Sequence, residues 1–206
     1  MNKLILAILV LFLFNISQAQ FSIATEGIYI VPVGGFSGWF DNHYSGTIYI
    51  GQVNHGNSFI SGRVEFYRFD RENTKKLFYK DLNLELKLYG VGAEYRYSIL
   101  RFNFLNFHGI IGTGVYRWFG LRGEYFFKDS AGNVIDYIAE RRYQDWSAGF
   151  WGGGGVEVRV MKNLSLNLST RYQIVVGEMW QTLALRLEQA SGFQWIGIQA
   201  GAQVRF

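Results

Sequence analysis

The sequence predicts an all-β chain: an eight-stranded antiparallel up-and-down β-barrel with a plugged, charged interior. Three observations predict it. Residues Phe193 to Phe206 alternate strictly, with Ile196, Ile198, Ala200, Ala202, Val204 and Phe206 on one face and Trp195, Gly197, Gln199, Gly201, Gln203 and Arg205 on the other. A period of two marks a strand with one apolar and one polar or small face. The 206 residues include 25 Gly, 18 Phe, 13 Tyr, 6 Trp, one Pro and no Cys, yet the mean hydropathy is close to zero, as expected where only alternate residues meet an apolar medium. Finally, the alternating runs can be divided into eight, with short turns after the second, fourth and sixth and longer connections between the others.

Composition also excludes. Without Cys there is no disulfide, no thiolate metal site and no cysteine nucleophile. The net charge of +4 is spread over mixed Lys, Arg, Asp and Glu with no basic block, so nothing argues for nucleic acid. At the N-terminus Asn2 and Lys3 precede an apolar run from Leu4 to Phe14, and Ser17-Gln18-Ala19 supplies the small residues a signal peptidase reads. The run is too short for a helix of roughly 20 residues spanning about 30 Å of hydrocarbon. Residues 1–19 are therefore expected to be a cleaved signal peptide, with Gln20 first in the mature chain and 20–206 forming one barrel domain.

The strands follow in order. The first is expected over Gly27 to Gly38, with Pro32 interrupting its middle, and the second over Ser45 to Val53. Asn54 to Asn57 is a turn of residues that tolerate positive φ. The third strand, Ser58 to Asp70, sets Ile60, Val64 and Phe66 against Ser61, Arg63, Glu65 and Tyr67. The fourth, Leu82 to Tyr97, changes phase. Leu82, Leu84, Leu86 and Leu88 occupy even positions and Tyr89, Val91, Ala93, Tyr95 and Tyr97 odd ones. A β-bulge near Leu88 and Tyr89 would reconcile the halves, because one extra residue moves every later side chain to the opposite face. Ser98 to Asn103 turns into the fifth strand, Phe104 to Phe119, whose apolar face is Leu105, Phe107, Ile111 and Val115. The sixth, Gln144 to Val160, opposes Ala148, Phe150, Val156, Val158 and Val160 to Ser147, Trp151, Glu157 and Arg159. After Met161 to Asn163, the seventh opposes Leu164, Leu166, Leu168, Tyr172 and Ile174 to Ser165, Asn167, Ser169, Arg171 and Gln173. The eighth is Phe193 to Phe206.

This pattern, with a final strand ending on Phe206, resembles the small eight-stranded outer-membrane barrels of the OmpA/OmpX type, a porin-like family of transmembrane barrels. The resemblance covers residues 21–206 and rests on pattern rather than on a fixed motif. It implies a multi-pass protein of the bacterial outer membrane in a Gram-negative cell envelope, with both termini periplasmic. Its partners would be outer-membrane lipid and lipopolysaccharide, the barrel-assembly machinery through the C-terminal strand with Phe206 as assembly signal, and an extracellular protein or surface ligand. No cofactor, no metal and no catalytic residue is implied. The role expected is structural or surface-interacting, through protruding loops.

With the apolar faces toward lipid, the interior receives Arg63, Glu65, Glu94, Arg96, Glu157, Arg159, Arg171 and Arg205, beside His108, Tyr116 and Gln199. Eight strands leave just enough room for side chains, and each charge buried alone would be costly, so interlocked ion pairs are expected. A small pore is the alternative, and the charged inward face argues against a lipocalin-like cavity. Gly109 to Gly114 and Gly152 to Gly155 precede no helical pattern, which a phosphate cradle needs; they read as wall against which inward Trp or Tyr can pack. His43-Tyr44-Ser45 resembles the His-x-Ser pair of outer-membrane lipid A deacylases, the enzymatic alternative, but lies near the N-terminus and lacks the Asn that follows the serine there. In the long connections, Glu124 to Lys128 and Val134 to Ile138 flank Ser130 to Asn133 as a hairpin, and Leu183, Leu185 and Leu187 alternate with Ala184, Arg186 and Glu188. Both suggest strands protruding beyond the membrane.

Overall fold

Alternation along the chain closes into a ring. The computed structural model describes residues 20–53, 58–77, 82–178 and 191–206; the expected signal peptide, the turn at 54–57 and the alternation at 183–187 lie outside them. The strands are β1 (Gln20–Pro32), β2 (His43–Val53), β3 (Ser58–Phe69), β4 (Leu84–Arg101), β5 (Leu105–Arg122), β6 (Tyr125–Lys128), β7 (Val134–Ile138), β8 (Arg141–Arg159), β9 (Leu164–Glu178) and β10 (Ser191–Arg205). Eight of them form a closed barrel in the order β1-β10-β9-β8-β5-β4-β3-β2, and β6 and β7 form a separate two-stranded ribbon. Every pairing is antiparallel. β10 closes the ring against β1, from Ser22 opposite Arg205 to Pro32 opposite Trp195, so no barrel edge is left unpaired.

One parity faces out. Outward positions run from Phe21 to Val31 on β1, Tyr44 to Ile50 on β2, Ile60 to Phe66 on β3, Tyr89 to Tyr97 on β4, Phe107 to Val115 on β5, Trp146 to Val158 on β8, Leu164 to Val176 on β9 and Gln194 to Val204 on β10, and none of them carries a charge; Arg117, level with Phe66, Tyr89 and Trp146, is a charge at the loop-end margin of this belt. Burial of apolar surface drives folding at about 25 cal/mol per Å², so a continuous exposed apolar belt is a strong statement about the medium around it.

Two elements depart from the sequence reading. β1 starts seven residues before Gly27 and stops at Pro32, while Gly34–Gly38 forms a 3₁₀ turn, η1, entered through Gly34 at φ +59. This turn folds into the barrel mouth instead of continuing the wall. β4 has no bulge at Leu88 and Tyr89, for its register to β3 and β5 is continuous there and shifts only between Ser98 and Leu100. The even-numbered leucines point inward and the odd-numbered aromatics outward throughout.

The mouth is sealed by an apolar core. Phe36 is 1 % exposed and sits among Phe40, Phe69, Phe193 and Trp195, with ring centroids 5.3, 4.9, 5.5 and 6.3 Å away. Leu84, Leu86, Leu88 and Trp118 are buried around them. Residues 71–77 brace this cork: Asp41 N donates to Arg71 O (2.9 Å) and Asn73 N to Trp39 O (2.9 Å).

The β6–β7 ribbon turns at 129–133, where Asp129 Oδ1 accepts from the backbone N–H of Ala131 (2.9 Å) and Asn133 (2.8 Å). The Asn133 side chain and these amides hold the Asp129 carboxyl below its ordinary value. A lowered value means that the order it supplies is present above the carboxylate range and is lost as pH falls below about 4. Amide-exchange protection at Ala131 and Asn133 should therefore persist at neutral pH and disappear in acid. Unchanged protection at pH 2 would remove Asp129 from this role.

Candidate functional site

Below the cork the inward parity carries charge. Arg63 on β3 is the hub, donating to Glu26 Oε2 (3.1 Å), Glu65 Oε1 (3.2 Å) and Glu94 Oε2 (2.8 Å). Arg96 bonds Glu94 (2.6 Å) and Glu26 (3.3 Å), and Arg171 bonds Glu65 (2.6 Å). Three guanidiniums thus face three carboxylates, all buried. Around them a second set of side chains adds hydrogen bonds. Tyr67 OH donates to Gln173 Oε1 (3.2 Å), Gln173 Nε2 to Tyr116 OH (2.6 Å), and Tyr116 OH to Glu65. Trp151 Nε1 donates to Glu94 (3.0 Å) and Asn167 to Tyr49 OH (2.9 Å). The Gln199 amide, oriented by its neighbours, donates to Glu26 (2.8 Å) and accepts from Arg171 Nε. Arg63 and Arg96 also lie over the Tyr49 ring, 5.0 and 4.5 Å from its centroid, an arrangement that strengthens when water is excluded.

The wall makes room for these rings with glycine. A Cβ at Gly112 would fall 2.2 Å from the Trp151 ring, and one at Gly90 2.3 Å from Tyr116. Of the glycine runs singled out in the sequence, Gly112 and Gly114 lie beneath Trp151, whereas Gly153 and Gly155 lie against Arg171 and Ser169 of the neighbouring strand.

Of the eight charges expected inside, Arg63, Glu65, Glu94, Arg96 and Arg171 meet in this cluster. Glu157 and Arg205 form a separate pair nearer the turn end, with side chains 11 % and 15 % exposed. Arg159, one step further along β8, is exposed and outside the lumen; it shares the inward parity but stands at the rim, in the last pairing of β8 with β9, opposite Ser165. Glu26 belongs to the cluster and is missing from the sequence reading, because that reading begins the first strand at Gly27. Its signal was available in Ser22, Ala24, Glu26 and Ile28 alternating with Phe21, Ile23 and Thr25. At the turn end a cavity of about 40 Å³ lies against Arg96, His108, Glu157 and Arg205, polar and large enough for a few waters. His108 Nε2 and Asn106 Oδ1 face it without a protein partner.

Because Glu157 keeps some contact with solvent and Glu94 has none, their truncations should differ. Glu94→Ala is expected to cost about 3–5 kcal/mol, the loss from stranding a buried partner charge. Glu157→Ala should cost less than half of that. Urea unfolding in lipid vesicles measures both, and equal losses would contradict the separation of the two clusters.

His43 and Ser45 stand on one strand face, but their side chains serve different partners. Ser45 Oγ donates to the Phe66 carbonyl and His43 Nε2 lies 3.6 Å from Asp70; no Ser–His hydrogen bond links them among the described residues. Phe206 is exposed on the outward parity, and its backbone N–H donates to Phe21 O (2.8 Å).

No family model and no curated protein matches this sequence. The fold does match solved structures. Neisserial surface protein A aligns at 16 % identity and a TM-score of 0.58, over 90 % of this chain and 97 % of that one. A major outer membrane protein of Thermus thermophilus aligns at 12 % and 0.56, over 92 % and 100 %, and the outer membrane protein OprG of Pseudomonas aeruginosa at 10 % and 0.51, over 91 % and 96 %. With its closed ring of eight antiparallel strands, the chain has the fold of the small outer-membrane β-barrels.

Proposed function

We propose that this protein resides in the bacterial outer membrane as a non-conducting, non-enzymatic barrel, and acts through the surface it presents at its loop end. The observation that carries this reading is the doubly filled lumen: an aromatic cork above, an interlocked ionic layer beneath. A pore needs a continuous wet path, and an eight-stranded lumen leaves none once side chains fill it. The uncharged outer belt supports insertion in lipid. In this reading the turns at 102–104 and 160–163 face the periplasm, as do both termini, and the β6–β7 ribbon faces outward.

Conduction tests it. Purified barrel in a planar bilayer should show no large steady conductance, only brief small openings as ion pairs exchange partners. A stable, ion-selective conductance in the unmodified protein, unaffected by deleting the β6–β7 ribbon, would show an open lumen and replace this reading with that of a small pore.

A further inference from the structure

The outer surface at the loop end is organised in rows across β3, β4, β5 and β8. The strand registers align Phe66, Tyr89, Arg117 and Trp146 in one row, then Arg68, Lys87, Phe119 and Gln144 in the next. Three members of the first row are aromatic, as expected where a barrel wall passes from hydrocarbon into headgroups. Arg117 is the exception. It stands in the aromatic row with Val115 next below it on the same face, and it has no carboxylate partner among the described residues. Its guanidinium lies over Phe119 and Trp146, 5.5 and 5.4 Å from their centroids.

Neighbouring cations are differently placed. Glu85 accepts from Lys87 (2.8 Å) and Arg68 (2.9 Å), and Arg142 bonds Glu140 (2.7 Å). The Arg142–Glu140 pair is highly exposed, and such pairs are weak and readily exchanged. Between these groups lies an open cleft of about 970 Å³ on the barrel exterior, lined by Glu85, Lys87, Tyr89, Arg117, Phe119 and Arg142; the Glu85 carboxylate is already occupied by Lys87 and Arg68. A cleft of this size exceeds what a single ion needs and suits a headgroup.

We propose that this cleft binds the phosphorylated headgroup of an outer-leaflet glycolipid, with Arg117 as the principal phosphate ligand and Lys87 and Arg142 flanking it. The inference rests on the membrane location proposed above. The chemistry is that of a planar guanidinium, which meets a phosphate through two parallel N–H donors and is fixed in advance by aromatic stacking. At the boundary between hydrocarbon and headgroups a cation is tolerated at little cost, and an anionic headgroup supplies it with a counter-ion from the lipid side. The outward Tyr89, Val91 and Val115 offer the adjoining wall to its acyl chains.

The test uses the folded barrel in detergent micelles with added bis-phosphorylated lipid A, read by native mass spectrometry. Wild type should retain one lipid A, and Arg117→Gln should reduce retention at least tenfold while leaving the heat-modifiable band unchanged. Lipid A stripped of phosphate should be retained no better by wild type than by the variant. Arg142→Gln, at a more exposed position, gives a second variant with a smaller loss in the same direction. Equal retention of lipid A by wild type and Arg117→Gln would overturn the proposal, as would wild type retaining the dephosphorylated lipid as well as the bis-phosphorylated one. Displacement of lipid A by millimolar inorganic phosphate would show that the cleft reads free phosphate and not a lipid, and would overturn it too. Failure of the location itself is seen separately, as absence of the protein from fractionated outer membranes.

Discussion

Replacing Arg63 by Met is expected to lower the unfolding free energy by about 3–5 kcal/mol, the cost of leaving a buried carboxylate uncompensated. Methionine keeps much of the side-chain volume and removes the charge, so the loss reports electrostatics more than a cavity. In the native lumen Glu26, Glu65 and Glu94 face Arg63, Arg96 and Arg171, and Arg63 is the member that bonds all three carboxylates. Without it, Arg96 still holds Glu94 and Glu26, and Arg171 still holds Glu65. Two cations then serve three anions inside a wall that admits little water. Adding Glu94→Gln to Arg63→Met restores neutrality and should recover part of the loss, a coupling that a double-mutant cycle isolates. Arg159→Gln, at an exposed position, should change stability by no more than about 0.5 kcal/mol. Were Arg63→Met to unfold with the wild-type urea midpoint in lipid vesicles, the ionic layer would be dispensable to stability.

Much of the ionic layer is legible before folding, because β3 over 60–66, β8 over 148–158, β9 over 164–174 and β10 over 196–204 keep every charged and amide side chain on one parity and their aliphatic residues on the other. There, reading polarity is the same as reading inside from outside. β4 breaks that equivalence. Its upper half puts leucines inward, into the cork, and its lower half puts Tyr89, Val91, Tyr95 and Tyr97 outward. Alternation records which parity is apolar, not which way it faces, so a change in the filling of the lumen looks the same as a one-residue slip. Residues 33–40 mislead for a related reason. Phe36, Trp39 and Phe40 are apolar because they close the mouth, and in sequence Phe36 looks like part of an irregular continuation of β1. Glu26 was lost at a boundary, the least certain part of any sequence reading. Arg117 was invisible as a candidate because its meaning comes from its row: the aromatics beside it belong to β4 and β8 and come together only through register.

Phe36→Ala should detach the cork without opening the barrel. Truncating a buried Phe costs about 3–5 kcal/mol through lost transfer energy and the cavity left behind, and Phe36 packs against four aromatic rings at the mouth. Its backbone, however, belongs to a connection and not to the ring of strands. The cork can therefore undock as a local unit, and the loss felt by the whole barrel is limited to the free energy of that docking. Residues 33–40 should become sensitive to protease and lose amide protection at Trp39 and Phe40, whose N–H groups bond Phe36 O in the native turn (3.2 and 3.3 Å). The urea midpoint of the barrel should fall by less than the Phe36 truncation alone would give. Conductance should stay at the wild-type level, since Arg63, Arg96, Arg171 and their carboxylates still fill the section beneath. A steady conductance in Phe36→Ala, with the midpoint little changed, would instead make the aromatic cork the seal and leave the ionic layer permeable to water and ions.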